Sequence, residues 1–243
     1  IKEQIAILQK RLETLEEKKA IENSVIEKQK IGLVLSGGGA KGYAHLSLLR
    51  FLEKQHIQID YITGTSIGAF IGTLYSIGYS VDEIEACLNS LNYDSLIKNN
   101  AYKRNPHDIL TVNYDKQLNF SYPKGLASNE FLYLTLKDIL KSVEGVQNFN
   151  ELPIPLRIIA TDLNTGKAKA FDSGDLAQVL TASMAVPTLL EPVKIGDASY
   201  VDGLISRNFP VQDVIEMGAN FVIGSDVGNE LKDNSDYNIL SVL

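Results

Sequence analysis

The chain has 243 residues, enough for one large domain with a full core, and its 23 basic against 30 acidic residues give a formal charge of −7. That balance, with no long basic run, argues against nucleic acid as a partner and against strong electrostatic attraction to an anionic membrane. Cys87 is the only cysteine, which excludes an internal disulfide and a zinc site built from cysteines. No apolar run reaches the ~18 residues of a membrane-spanning helix, and no signal-peptide pattern opens the sequence.

Residues 1–30 read as a helical extension. Ile1, Ile5, Leu8, Leu12 and Leu15 step by four, three, four and three between Glu, Lys, Gln and Arg, a short heptad seam on a charged helix. Two uses of that seam stay open: pairing with a second copy as a homodimer, or laying the stripe on its own domain. The register slips after Ile21 and Val25, and a single domain over residues 31–243 follows.

Ile31-Gly32-Leu33-Val34-Leu35-Ser36 is a nearly continuous apolar run of the kind that forms a buried parallel strand. It delivers the chain to Gly37-Gly38-Gly39-Ala40-Lys41-Gly42, and a helix is predicted from about Tyr43 to Lys54. The glycine loop matches G-x-G-x-x-G, but a dinucleotide site needs an acidic residue closing the second strand about 20 residues on, and here Asp60 opens that strand. A Walker A loop fails for want of Gly-Lys-Ser/Thr after four spacers. The remaining reading is an oxyanion hole, because consecutive glycines expose N–H groups with no side chain to shield them.

Next, Ile59-Asp60-Tyr61-Ile62-Thr63 runs as a strand into Gly64-Thr65-Ser66-Ile67-Gly68 and leaves as an apolar helix beginning Ala69-Phe70-Ile71. Strand, G-x-S-x-G turn and helix are the setting that aims a serine hydroxyl out of a sheet as a nucleophile. The serine also stands at a helix N-terminus, where the dipole favours developing negative charge. A serine needs a base. The order serine, acid, histidine would have to fit its acid between Ser66 and His107, since His45, His56 and His107 are the only histidines. His45 is read as packing or capping under the glycine loop, which leaves a serine–carboxylate dyad as the economical arrangement.

Between Asn92 and Tyr133, Tyr93, Tyr102, Tyr114, Phe120, Tyr122 and Phe131 mix with Lys98, Lys103 and Arg104. The segment reads as a lid or membrane-contact surface, or as a variable loop packed on the domain. An amphipathic helix is expected from Ser128 to about Glu144, a buried strand from Leu156 to Ala160, an alternating run from Val193 to Val201, and a helix then strand over Pro210–Met217 and Phe221–Ser225. This alternation predicts an α/β domain with a mainly parallel central sheet between two helical layers.

Five blocks in register resemble a bacterial patatin-like phospholipase domain from Gly37 to about Pro210. They are the glycine loop, the Ser66 turn, Ala160-Thr161-Asp162-Leu163 with Gly166 and Phe171, Ala182-Ser183-Met184-Ala185-Val186-Pro187 with Pro192, and Tyr200-Val201-Asp202-Gly203 with Asn208 and Pro210. The resemblance implies a three-layer patatin-like fold and a Ser66–Asp202 dyad, with Gly37, Gly38 and Gly39 as oxyanion donors and Lys41 and Gly42 in the same loop. Lys41 either orients the loop, meets a lipid phosphate or stands in solvent. The resemblance implies phospholipase A-type hydrolysis of glycerophospholipid at a membrane surface, with no metal or other cofactor. Leu204 departs from the family, which has a third small residue there. That departure keeps a lipid-binding module open as a second reading, and serine acyl transfer is a third, against which the histidine positions argue. The N-terminal helix further resembles the passenger of bacterial surface proteins, and an exported or surface location is the corresponding expectation.

Overall fold

The computed structural model describes residues 9–16, 29–91, 113–114, 120–121 and 128–228. In chain order the strands are β1 (Ile31–Leu35), β2 (Tyr61–Thr65), β3 (Asn113–Tyr114), β4 (Phe120–Ser121), β5 (Leu156–Asp162), β6 (Ala168–Phe171), β7 (Val193–Ile195), β8 (Ala198–Asp202) and β9 (Phe221–Ser225). The helices that frame the sheet are α1 (Tyr43–Lys54), α2 (Ile67–Ser76), α3 (Val81–Ser90), α4 (Glu130–Ile139), α5 (Leu176–Ser183) and α6 (Val211–Glu216).

β1 is continuously apolar because both of its faces are covered. Leu33 and Leu35 belong to the large core with Phe70, Leu74, Leu49 and Leu180. Val34 faces the other way, onto Val214 and Ala219. The sheet order is β7-β8-β5-β2-β1-β9, with β6 also on β5. Its centre, β5-β2-β1-β9, is parallel, and β6, β7 and β8 are joined to it by antiparallel pairing. This is the layered α/β arrangement expected from the sequence, with a mixed, mostly parallel sheet.

The two edges of β5 are used differently. Ile158 pairs with Phe171 of β6 and Gly64 of β2, whereas Thr161 pairs with Ala168 of β6 and Val201 of β8. One edge therefore carries β6, and the other carries first β2 and then β8. The exits of β2 and β8 meet there, Thr65 opposite Ile159 and Asp202 opposite the next residue, Ala160.

Several local expectations need correcting. The run from Val193 to Val201 is a hairpin and not one strand, because Gly196 adopts φ 60° and reverses the chain between β7 and β8. The helix expected over 128–144 stops at Ile139 and continues as a 3-10 turn, Lys141–Val143, before Gly145 at φ 95°. Strand β2 begins at Tyr61 and not Asp60; the Asp60 carboxylate instead accepts the Ile31 N–H at 2.7 Å and pins the start of β1. Residues 9–16 are helical with Leu12 and Leu15 exposed, while Ile1, Ile5 and Leu8 lie outside the described residues. Most of the aromatic segment after Asn92 also lies outside them, although Phe131 is placed on α4.

α2 is buried on nearly every side because it runs through the core, and it approaches the strands closely at its glycines. A Cβ on Gly68 would stand 2.4 Å from the carbonyl oxygens of both Leu35 and Ser36. Backbone cannot yield cheaply, so Gly68→Ala is expected to destabilise the domain by about 2 kcal/mol or more, seen as a melting temperature lowered by several degrees.

Candidate active site

Ser66 is the single residue between β2 and α2 and adopts φ 53°, ψ −124°. A non-glycine residue in that region carries strain of about 1–3 kcal/mol, held by the structure around it. The flanking glycines supply the room: a Cβ on Gly64 would stand 2.7 Å from the Ala69 backbone, and Gly68 lies against the end of β1. As the cap of α2, Ser66 accepts the Phe70 N–H on its carbonyl at 3.0 Å.

The Ser66 hydroxyl donates to Asp202 Oδ2 at 2.6 Å. Asp202 is fully buried, and its other oxygen accepts the Leu204 N–H at 2.9 Å. Desolvation dominates its titration, lifting the carboxyl to about 7, while the bonds from Ser66 and Leu204 pull the other way. The turn after Asp202 forms with leucine in place: Leu204 is half-buried and contributes its backbone, not its side chain, to the carboxylate. Gly203 is required by packing and not by an unusual φ, since a Cβ there would stand 2.4 Å from the Ile159 carbonyl oxygen and 2.9 Å from Thr65 Cγ2.

The glycine loop lies beside the serine, with an added Cβ on Gly37 falling 3.1 Å from Ser66 Cβ. The N–H groups of its three glycines differ in their partners. Gly37 N–H already donates to Asn208 Oδ1 at 3.0 Å, and Asn208 Nδ2 donates to the Gly37 carbonyl at 3.2 Å. Gly38 and Gly39 N–H meet no acceptor among the described residues, and Gly39, at φ 55°, is exposed. Lys41 is exposed on the 3-10 turn Gly39–Gly42, and buried Gly42 seats that turn on Ile67, where a Cβ would fall 2.5 Å from Cγ1.

His45 is fully buried beneath this loop. Its Nε2 lies 2.9 Å from the Ser36 carbonyl, which can only accept, so Nε2 bears the proton and Nδ1 accepts from the Ser225 hydroxyl at 2.7 Å. Burial lowers its pKa and keeps the ring neutral. Ser36 in turn accepts the Val227 N–H at 2.8 Å and donates to the Gly37 carbonyl at 3.1 Å. His45 thus supports the loop, the role expected from its position.

Two contacts carry no mark in the sequence. Ser183 Oγ accepts the Ser66 N–H at 2.9 Å. Asn208, visible only as part of a matching block, bridges the Asp202 segment to the glycine loop. Among the described residues no group of histidine, cysteine, aspartate and glutamate is arranged to hold a metal.

The sequence that builds this site is similar to known proteins. The family model described as patatin-like phospholipase matches residues 33–215. The chain belongs to that family. Among curated relatives, Lysophospholipase NTE1 of Debaryomyces hansenii is 29% identical over 207 residues, covering 84% of this chain and 12% of the yeast protein. Mouse patatin-like phospholipase domain-containing protein 6 is 30% identical over 203 residues, covering 82% of this chain and 14% of the mouse protein. The chain therefore spans only about an eighth of the length of these two. VipD from Legionella pneumophila, a solved structure, shares the patatin-like fold with TM-score 0.50 and 17% identity over 75% of this chain and 47% of VipD.

The Asp202 carboxyl also makes stability depend on pH. Its folded value of about 7 exceeds the ordinary 3.8, so its favourable contribution is full below pH 4 and is lost as pH rises through 7. Asp202→Asn is thus expected to melt higher than the native chain at pH 8, by up to about 4 kcal/mol, with the margin closing toward pH 4. Paired thermal melts across that range check it.

Proposed function

We propose that the domain is a metal-independent serine hydrolase of the phospholipase A or lysophospholipase type, releasing fatty acid from glycerophospholipid at a membrane surface. The observation that carries this reading is the 2.6 Å hydrogen bond from Ser66, in a strained turn, to a fully buried carboxylate. The family match and the names of the yeast and mouse relatives support the lipid substrate class.

In this reading Asp202 takes the Ser66 hydroxyl proton as Oγ bonds to the ester carbonyl carbon. Gly38 and Gly39 direct their N–H groups at the oxyanion, assisted by the N-terminus of α2. Collapse of the tetrahedral species breaks the bond to the glycerol oxygen, which takes the proton back from Asp202. Water then loses a proton to Asp202, attacks the acyl-enzyme and frees the fatty acid, and Ser66 recovers its proton. Asn208 withholds the Gly37 N–H from the oxyanion while holding the loop at its working distance.

Asp202 acts only when ionised, so kcat/KM is expected to rise with pH through about 7. Fatty-acid release from defined phospholipid vesicles, with no divalent metal added, tests the assignment. Ser66→Ala and Asp202→Asn should each lower it about a thousandfold or more. Undiminished release by Ser66→Ala would sink the proposal, and vesicle binding without hydrolysis by the native chain would favour a lipid-binding module.

A further inference from the structure

The C-terminal end of α5 touches both members of the Ser66–Asp202 pair. Ser66 N–H donates to the Ser183 hydroxyl at 2.9 Å. Two residues later the Ala185 carbonyl accepts the Asp202 N–H, also at 2.9 Å. The Ser183 hydroxyl spends its own proton on the Ile159 carbonyl at 2.6 Å, which leaves a lone pair facing Ser66. Ile159 is the β5 residue opposite Thr65, and Asp202 pairs with the next residue along, Ala160. Ser183 is fully buried, so water does not compete for either bond.

The backbone angles of Ser66 belong to neither strand nor helix, so its N–H depends on an acceptor supplied from elsewhere in the fold. We propose that Ser183 is a positioning residue for the nucleophile: its hydroxyl holds the strained Ser66 backbone so that Oγ stays on Asp202 Oδ2. The inference rests on the reading of Ser66 as nucleophile. Without Ser183 as acceptor the Ser66 turn relaxes, and its hydroxyl swings off the carboxylate. The bond from Ser66 restrains the upward pull of burial on Asp202, so its loss sends the carboxyl higher. A residue that merely filled space would not move that titration.

The test is steady-state hydrolysis of a soluble short-chain ester across the neutral pH range by the native chain, Ser66→Ala, Ser183→Ala and Ser183→Cys. Ser183→Ala is expected to lower kcat about tenfold with KM nearly unchanged, and to displace the acid limb of the profile to higher pH. Ser183→Cys, similar in shape but a poorer acceptor, should show the same displacement in smaller measure, and it carries the test if Ser183→Ala does not fold. An acid limb that stays at its native position in whichever Ser183 variants fold, with or without a fall in kcat, overturns the proposal. Activity retained by Ser66→Ala overturns the nucleophile reading instead, so the two failures are told apart.

Discussion

The edge of β5 that carries β2 and then β8 determines where Ser66 and Asp202 stand. A parallel strand arriving from one end and an antiparallel strand from the other stop at adjacent residues, Ile159 and Ala160, and each delivers one side chain to the gap between them. Hydrogen-bond register is a stiff ruler, because slipping either strand by one residue turns its side chains to the opposite face. The sheet therefore sets where Thr65 and Asp202 stand, and the Ser66 turn completes the approach to the carboxylate. The 3-10 turn after Asp202 and the end of α5 secure the join from either side.

Holding that join has a cost. A buried carboxylate with no cationic partner among the described residues is disfavoured in its charged form, and Ser66 sits in a backbone region that side chains rarely adopt. Both are sustained by a large core through which α2, the helix leaving Ser66, runs almost wholly buried. Ser66 is about 7% exposed, and the adjoining N–H groups of the glycine loop are preorganised by contacts beneath them. Low dielectric strengthens every electrostatic interaction in such a site, and burial of the carboxyl costs stability at neutral pH.

Much of this was legible in the residues. Strands β1 and β9 and helix α1 fall where the apolar runs and glycines placed them; β1 is covered on both faces and so has no room for polar interruptions, while β9 is a partly exposed edge strand. The pairing of serine with aspartate came from a resemblance, since an Asp-Gly pair alone looks like any solvated turn. Ser183 and Asn208 were not legible as positioning groups, because a single hydroxyl or amide acts here on backbone 117 and 171 residues away. For the same reason the commitment of Gly37 to Asn208 could not be seen, and the hairpin at Gly196 was hidden by an alternation that continues across it.

The support of the glycine loop comes late in the chain. Ser225 closes the bond to His45, Val227 donates to Ser36, and β9 covers the open edge of β1. Asp202 precedes all of these in order of synthesis. A nascent chain thus carries Ser66 and Asp202 before it carries the strand that braces the glycine loop. The bonds that brace residues 37–42 from beneath are complete only once Ser225 and Val227 are in place. The glycine loop and the Ser66–Asp202 pair therefore depend on different stretches of the chain, the loop on residues 221–227 and the pair on β2, β5 and β8.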